Sequence, residues 1–271
     1  DGMAETLFNI ASALHQESAT KTALIYSRLA GFLRPDFPIN QALLAEIYEL
    51  LGRKETAKSL YETIRPDTPH RWMADLRVAV ILDELNHSEE ALAVLRTLAK
   101  DRPNSVEALA SMGDILRTSE RFEEAITAYD EAVARINELE QRHWVLLYAR
   151  GIALERAKLW QRAEDDLLQA LKLQPGQPYV LNYLGYSWVE QGINLKRARE
   201  MIEQAVKLKP RDGYIVDSLG WVLFRFGEFA RAVLELERAV ELRPQDSTIN
   251  DHLGDAYWRT GRYDEARLQW R

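Results

Sequence analysis

The sequence contains no cysteine. That excludes disulfides, thiolate catalysis and cysteine-ligated metals. No apolar run approaches the roughly 18 residues that a membrane-spanning helix needs. Basic residues are outnumbered: Lys and Arg total 35 against 42 Asp and Glu, for a formal net charge of −7. A chain of that balance lacks the cationic stripe needed to neutralise a phosphate backbone, so nucleic acid is not an expected partner. Asp1-Gly2-Met3 does not read as a signal peptide. The sequence stops at Gln269-Trp270-Arg271 inside a helical pattern, so we expect a piece of a longer protein.

Catalytic patterns are also missing. The five histidines are His15, His70, His87, His143 and His252, and no two share a metal-ligand spacing. For four of them a solvated position at a helix end, loop or polar face is expected. There is no Gly-x-Ser-x-Gly elbow, phosphate-binding loop or dinucleotide fingerprint. Carboxylate pairs such as Glu123-Glu124 and Asp165-Asp166 fall on the polar faces of predicted helices, where solvated charge is the ordinary outcome. No enzyme, cofactor or metal site is expected.

What is present is a repeat. Leu184-Gly185, Leu219-Gly220 and Leu253-Gly254 follow one another at 35 and 34 residues. After each come a large residue (Trp188, Leu223, Tyr257), a glycine (Gly192, Gly227, Gly261) and an alanine (Ala198, Ala232, Ala266). Extended backwards, the frame places repeat starts near Ala4, Pro38, Trp72, Val106, Trp144, Pro178, Gly213 and Ser247. One small column reads Ala11, Ala45, Ala79, Gly113, Gly151, Gly185, Gly220, Gly254. A second reads Ala23, Ala57, Ala91, Ala125, Ala163, Ala198, Ala232, Ala266. A closing proline appears at Pro35, Pro69, Pro103, Pro175, Pro210 and Pro244, and is missing only from the fourth repeat.

This pattern resembles the tetratricopeptide repeat. The resemblance covers residues 4–271 and implies an all-α fold: a right-handed superhelix, or α-solenoid, of about eight helix-turn-helix repeats, the last cut short. Paired helices cannot bury their apolar faces alone, so neighbours stack and share a core. Small residues let the helices approach, glycine takes the left-handed conformation that closes the first helix, and proline ends the second. Asp246 is predicted as an N-cap and Pro178 as a first helical residue. Tyr48, Leu82, Leu116, Leu154, Trp188, Leu223 and Tyr257, with Tyr61, Leu95, Tyr129, Leu167, Ile202 and Leu236, are the expected core.

Two departures carry further expectations. One extra residue near Gly192–Leu195 predicts a longer inter-helix turn. Four extra residues between Ala132 and Trp144, without Gly or Pro, predict a helix about a turn longer than its siblings. They also predict a bend near 133–144 in an otherwise single solenoid over 1–271.

In tetratricopeptide proteins the first helices line a concave groove. Carried over residue by residue, the resemblance implies a partner-binding groove of Tyr148, Tyr179, Asn182, Tyr186, Tyr214, Asp217, Trp221, Arg225, Asp251, Asp255, Trp258 and Arg259, joined by Ile152 and Phe224. Aromatics and arginine dominate binding hot spots, and Asn182 can bond both groups of a peptide unit. Packing against the neighbouring repeat is the alternative for Tyr186, Trp221 and Phe224, and a C-terminal continuation would cover Trp258. The early repeats offer Phe8, Ser12, Glu46, Leu76, Arg77, Val80, Ala110 and Asp114. The paired Lys, Asn and Arg with which chaperone-tail receptors of this fold clamp a terminal carboxylate are absent.

The stretches Asn182–Trp188, Asp212–Trp221 and Ile249–Trp258 look like a group of alphaproteobacterial tetratricopeptide proteins. That group is similar to the outer-membrane lipoprotein adaptor of a carboxyl-terminal processing protease. The resemblance, which rests on residues 178–260, implies export to the periplasm or outer membrane. It also implies delivery of protein substrates, such as cell-wall hydrolases, to that protease. The expected function is therefore a scaffold or adaptor for protein or peptide clients. A structural self-assembly module and a glycan-binding module are the alternatives.

Overall fold

The computed structural model describes residues 2–270. Among them it contains sixteen α-helices, one short 3-10 helix and no strand. The helices fall into two compact units, Asp1–Asn137 and Glu138–Arg271. The first holds the pairs α1 (Gly2–Gln16) with α2 (Thr20–Leu33), α3 (Pro38–Leu50) with α4 (Lys54–Glu62), α5 (Arg71–Glu84) with α6 (Ser88–Asp101), and α7 (Glu107–Thr118) with α8 (Phe122–Ala134). The second opens with the 3-10 turn Gln141–His143. It continues with α9 (Trp144–Arg156) and α10 (Trp160–Leu173), α11 (Pro178–Gln191) and α12 (Leu195–Leu208), α13 (Gly213–Arg225) and α14 (Phe229–Leu242), and α15 (Ser247–Arg259) and α16 (Tyr263–Gln269). First helices begin within two residues of each predicted repeat start.

The small columns are the seams of these pairs. Every alanine of the second column is fully buried, as are Ala11, Ala45 and Ala79 of the first. Where the first column holds glycine, there is no room for a methyl group. A Cβ on Gly185 would lie 2.8 Å from Ile202 and 3.0 Å from the Ala198 carbonyl, and one on Gly220 would lie 2.5 Å from Leu236. All thirteen expected core fillers are buried, with Trp188, Tyr129 and Leu154 among the largest fully enclosed side chains. The Trp188 Nε1–H is not stranded: it donates to Glu164 Oε1 at 2.6 Å.

Each first helix ends through a left-handed residue. In the first unit these are Ser18, Gly52, Asn86 and Glu120; in the second they are Lys158, Gly192, Gly227 and Gly261. Asp246 caps α15 by accepting from the Ile249 amide, and Pro178 opens α11, as predicted.

The extra residue near Gly192 lies in the turn, as expected: Gly192 follows Gly185 by seven residues, as Gly227 follows Gly220, but Ala198 follows Gly192 by six against five in the next repeats. The turn takes it up with a second left-handed residue, Asn194 at φ 47°, just before α12. One expectation is corrected: in residues 132–140, α8 stops at Ala134 and does not run on. Polar groups end it without glycine or proline. The Arg135 guanidinium donates to the carbonyls of Ser105 (2.7 Å) and Ala99 (3.3 Å), which holds the chain against the end of α6. Glu140 then opens the 3-10 turn in a capping box with His143, its amide donating to His143 Nδ1 at 2.9 Å.

Candidate functional site

In the second unit α11 packs on α13 and α13 on α15, whereas no such contact joins α10 to α12 or α12 to α14. First helices that touch across repeats while second helices do not must line the inner side of the stack. The inner wall is therefore built from α11, α13 and α15. Gly185 and Gly220 let α11 and α13 seat closely on their own partners, α12 and α14.

Along that wall the candidates interlock. Trp221 stacks on His252 (centroids 4.2 Å apart, planes at 17°) and on Phe224 (5.0 Å, 8°). Its Nε1–H donates to Glu190 Oε1 at 2.6 Å, and Arg225 Nη1 donates to the same oxygen at 2.9 Å. Asp217 is buried and lies 2.9 Å from His252 Nδ1. Asp217 and Arg225 are thus occupied by neighbours, and Trp221 is held in one orientation before any partner arrives. Arg259 covers Phe229, its guanidinium 4.1 Å from the ring centre.

Tyr179, Tyr214, Asp251 and Trp258 are exposed, and Tyr148, Asn182, Tyr186 and Asp255 are half-buried. Tyr179 and Tyr214 are exposed at the starts of α11 and α13, with Lys209 and Arg243 over their rings at 5.8 and 4.7 Å. Tyr148 is half-buried and meets Tyr183 edge-on at 6.0 Å. Trp258 is exposed, packed edge-on against Tyr263 at 4.7 Å. Half-burial pushes the Tyr186 hydroxyl up to about 12, with the carboxylates of Glu190 and Asp217 adding to the rise. Asp255 is half-buried and its pKa is raised, first by desolvation; His252 opposes that rise and Asp251 adds to it. Asn182 Oδ1 is enclosed without a hydrogen-bond partner, one helical turn from Tyr186.

Glu190 and His252 were missed in the sequence. Glu190 occupies the same repeat position as Arg225 and Arg259, so the frame itself could have found it. His252 sits one residue past the groove position in its repeat. Its only signal was Asp217, 35 residues earlier, on the neighbouring first helix.

In the first unit the candidates are largely paired. Arg77 Nε donates to Glu49 Oε1 at 3.3 Å, and the Tyr61 hydroxyl donates to the same carboxylate at 2.7 Å. His15 Nε2 lies 3.3 Å from Glu46. Asp114 accepts from the Tyr129 hydroxyl at 2.8 Å. Leu76 is buried, and Phe8 packs on Phe37 at 5.3 Å. Among the described residues no group of three or more His, Asp or Glu side chains is placed to hold a metal ion.

A family model described as tetratricopeptide repeat matches residues 148–213, 194–247 and 218–270. A second, described as tetratricopeptide repeat-like domain, matches residues 47–151. No curated protein matches the chain in sequence. Solved structures share the fold. A tetratricopeptide repeat protein from Parabacteroides merdae superposes with a TM-score of 0.69 at 18% identity, over 94% of this chain and 99% of its own. PilF of Pseudomonas aeruginosa gives 0.62 at 19% identity, over 73% of this chain and 88% of its own. YrrB, described as a TPR protein with an unusual peptide-binding site, gives 0.51 at 18% identity, over 65% of this chain and 89% of its own. With repeat models matched from residue 47 to residue 270 and the paired-helix fold throughout, the chain belongs to the tetratricopeptide-repeat family.

Proposed function

We propose that the inner wall of the second unit binds an extended segment of a client polypeptide, and that the chain acts as an adaptor. Tetratricopeptide-repeat proteins generally mediate protein–protein interactions, and the fold is typical of non-enzymatic scaffolds. The observation that carries the reading is the pre-stacked Trp221 on the wall, with the enclosed, unpartnered Asn182 Oδ1 one helical turn from Tyr186 on α11. An enclosed acceptor without a donor costs roughly 1–3 kcal/mol, and a client backbone N–H would relieve that cost. The aromatic groups supply apolar area at little entropic expense because their neighbours already fix them. That YrrB has a peptide-binding site gives the reading a precedent within the fold.

The experiment is client capture by the immobilised chain from an extract of its native source, compared with a Tyr186→Ala/Trp221→Ala variant whose melting is followed in parallel. The variant should retain its helical content and lose its clients. Equal recovery by a folded variant would contradict the proposal. Hand-over of the client to a carboxyl-terminal processing protease, in the periplasm or at the outer membrane, is the finer form of the reading. It rests on the resemblance of residues 178–260. Faster cleavage of a captured client by that protease when the chain is added is its test.

Self-assembly is the second reading, favoured by Tyr263, Leu268 and Trp270, exposed at 50%, 65% and 42%. Light scattering decides it: a monomer at all concentrations removes it.

A further inference from the structure

Helix α2 is unlike every other second helix. Its inward face is ordinary, with Ala23, Ser27 and Ala30 buried. Its outward face carries Ile25, Leu29, Phe32 and Leu33, exposed at 59%, 46%, 82% and 48%. These residues are spaced four, three and one apart and lie on one side of the helix. At the positions equivalent to Leu29 and Phe32, the next three repeats carry Thr63 and Pro66, Thr97 and Lys100, and Glu131 and Ala134. This face is therefore the solvent side of the repeat, and α2 departs from it. Leu234, equivalent to Ile25, is exposed in α14 but stands with Arg238 and Glu241 at the other two positions, so it forms no stripe.

The charge on α2 is equally distinct. Each of the other second helices contains Asp or Glu; α2 contains neither. Its two cations, Lys21 and Arg28, share the outward face, are exposed, and make no ion pair among the described residues. A cationic, acid-free helix in a chain of net charge −7 is a local reversal of sign.

The shape of the face selects its occupant. No contact comparable to that between first helices joins α2 to α4, so the outward face is a ridge one helix wide, not a groove. A partner helix is received in a groove between elements. A second copy of α2 would offer Lys21 and Arg28 no acidic partner, because the helix contains none. A lipid surface requires no groove: an apolar ridge enters the boundary between headgroups and acyl chains, while flanking cations meet anionic headgroups. We infer that the outward face of α2 is a peripheral contact for anionic lipid bilayers, with Ile25, Leu29, Phe32 and Leu33 inserted and Lys21 and Arg28 on the headgroups. No helix of the described residues is long and apolar enough to cross a membrane, so this contact lies on the surface. One short apolar stripe with two cations gives weak, reversible binding.

The test is co-sedimentation of the full chain with phosphatidylcholine vesicles, with and without about 30 mol% phosphatidylglycerol, at low and high salt. The chain should sediment with the anionic vesicles and be released by salt. Leu29→Ser/Phe32→Ser should reduce binding roughly tenfold or more, and Lys21→Gln/Arg28→Gln should remove the preference for anionic lipid. Both pairs are exposed, so an unchanged melting curve confirms that each variant is folded. Three outcomes overturn the inference: no co-sedimentation of the wild-type chain, wild-type binding by the folded Leu29→Ser/Phe32→Ser variant, or a concentration-dependent dimer that this variant dissolves while vesicles go unbound.

Discussion

The two units share one repeat frame but finish their inner walls differently. In the first unit carboxylates are matched: Glu49 to Arg77 and Tyr61, Glu46 to His15, Asp114 to Tyr129. In the second, aromatic side chains dominate, while enclosed polar atoms without a hydrogen bond occur in both units: His15 Nδ1 and Gln41 Oε1 in the first, Asn182 Oδ1 in the second. A wall whose charged groups pair with one another has little charge left to offer a ligand. A wall that holds rigid, partly exposed rings offers apolar area at little entropic cost. The repeat builds the scaffold, and the side chains that the repeat leaves free decide which part of it can recognise something.

The seams differ too, and the largest expected effect lies there. Ala79 in the first unit already accommodates its methyl group, whereas Gly220 in the second faces Leu236 with no room for one. Gly220→Ala should cost about 3 kcal/mol of unfolding free energy, and Ala79→Gly about 1–2 kcal/mol, from helix propensity and the loss of one buried methyl group. Denaturant melts of the two variants check this, and equal costs would erase the distinction between the seams.

Wall carboxylates give the next contrast. Glu49→Gln weakens the acceptor of Arg77 and Tyr61 and should destabilise by about 1–2 kcal/mol. Asp255→Asn should do the opposite. Desolvation raises its folded pKa above the unfolded value, so the folded chain keeps a proton that the unfolded chain has lost. Stability attributable to this group therefore falls as pH rises through that window, and above it the anion is a net cost. Asn removes that cost, so the variant should melt slightly higher at neutral pH and gain nothing below the ordinary carboxylate range. Thermal melts at the two pH values measure both substitutions.

The smallest effect concerns the turns. Glu120 in the first unit adopts φ 58°, a conformation given to glycine at Gly227 and Gly261 in the second. Glu120→Gly should stabilise by about 0.5–1 kcal/mol, since relief of the left-handed strain outweighs the added chain entropy. Gly227→Glu should lose a similar amount, and chemical denaturation resolves both.

The frame was legible because it is made of constraints that sequence expresses directly. Ala163 or Gly185 can be read as a seam since nothing larger fits, and Pro244 as a stop since it lacks an amide. What escaped was set by side-chain geometry across repeats. The end of α8 depends on Arg135 reaching carbonyls 30 and 36 residues earlier, which no local propensity encodes. Of the candidate wall, the frame placed Tyr186 and Trp221 on first helices. It did not reveal that His252 lies under Trp221 with Asp217 on its ring nitrogen, because that triangle joins α13 to α15 through a position the frame assigns to packing.

Backbone hydrogen exchange of the chain with and without a captured client tests the central claim most directly. Binding to the inner wall of the second unit predicts slowed exchange over α11 and α13, Pro178–Gln191 and Gly213–Arg225, with α3 and α5 unchanged. Protection confined to α3 and α5, or to the second helices, would contradict it.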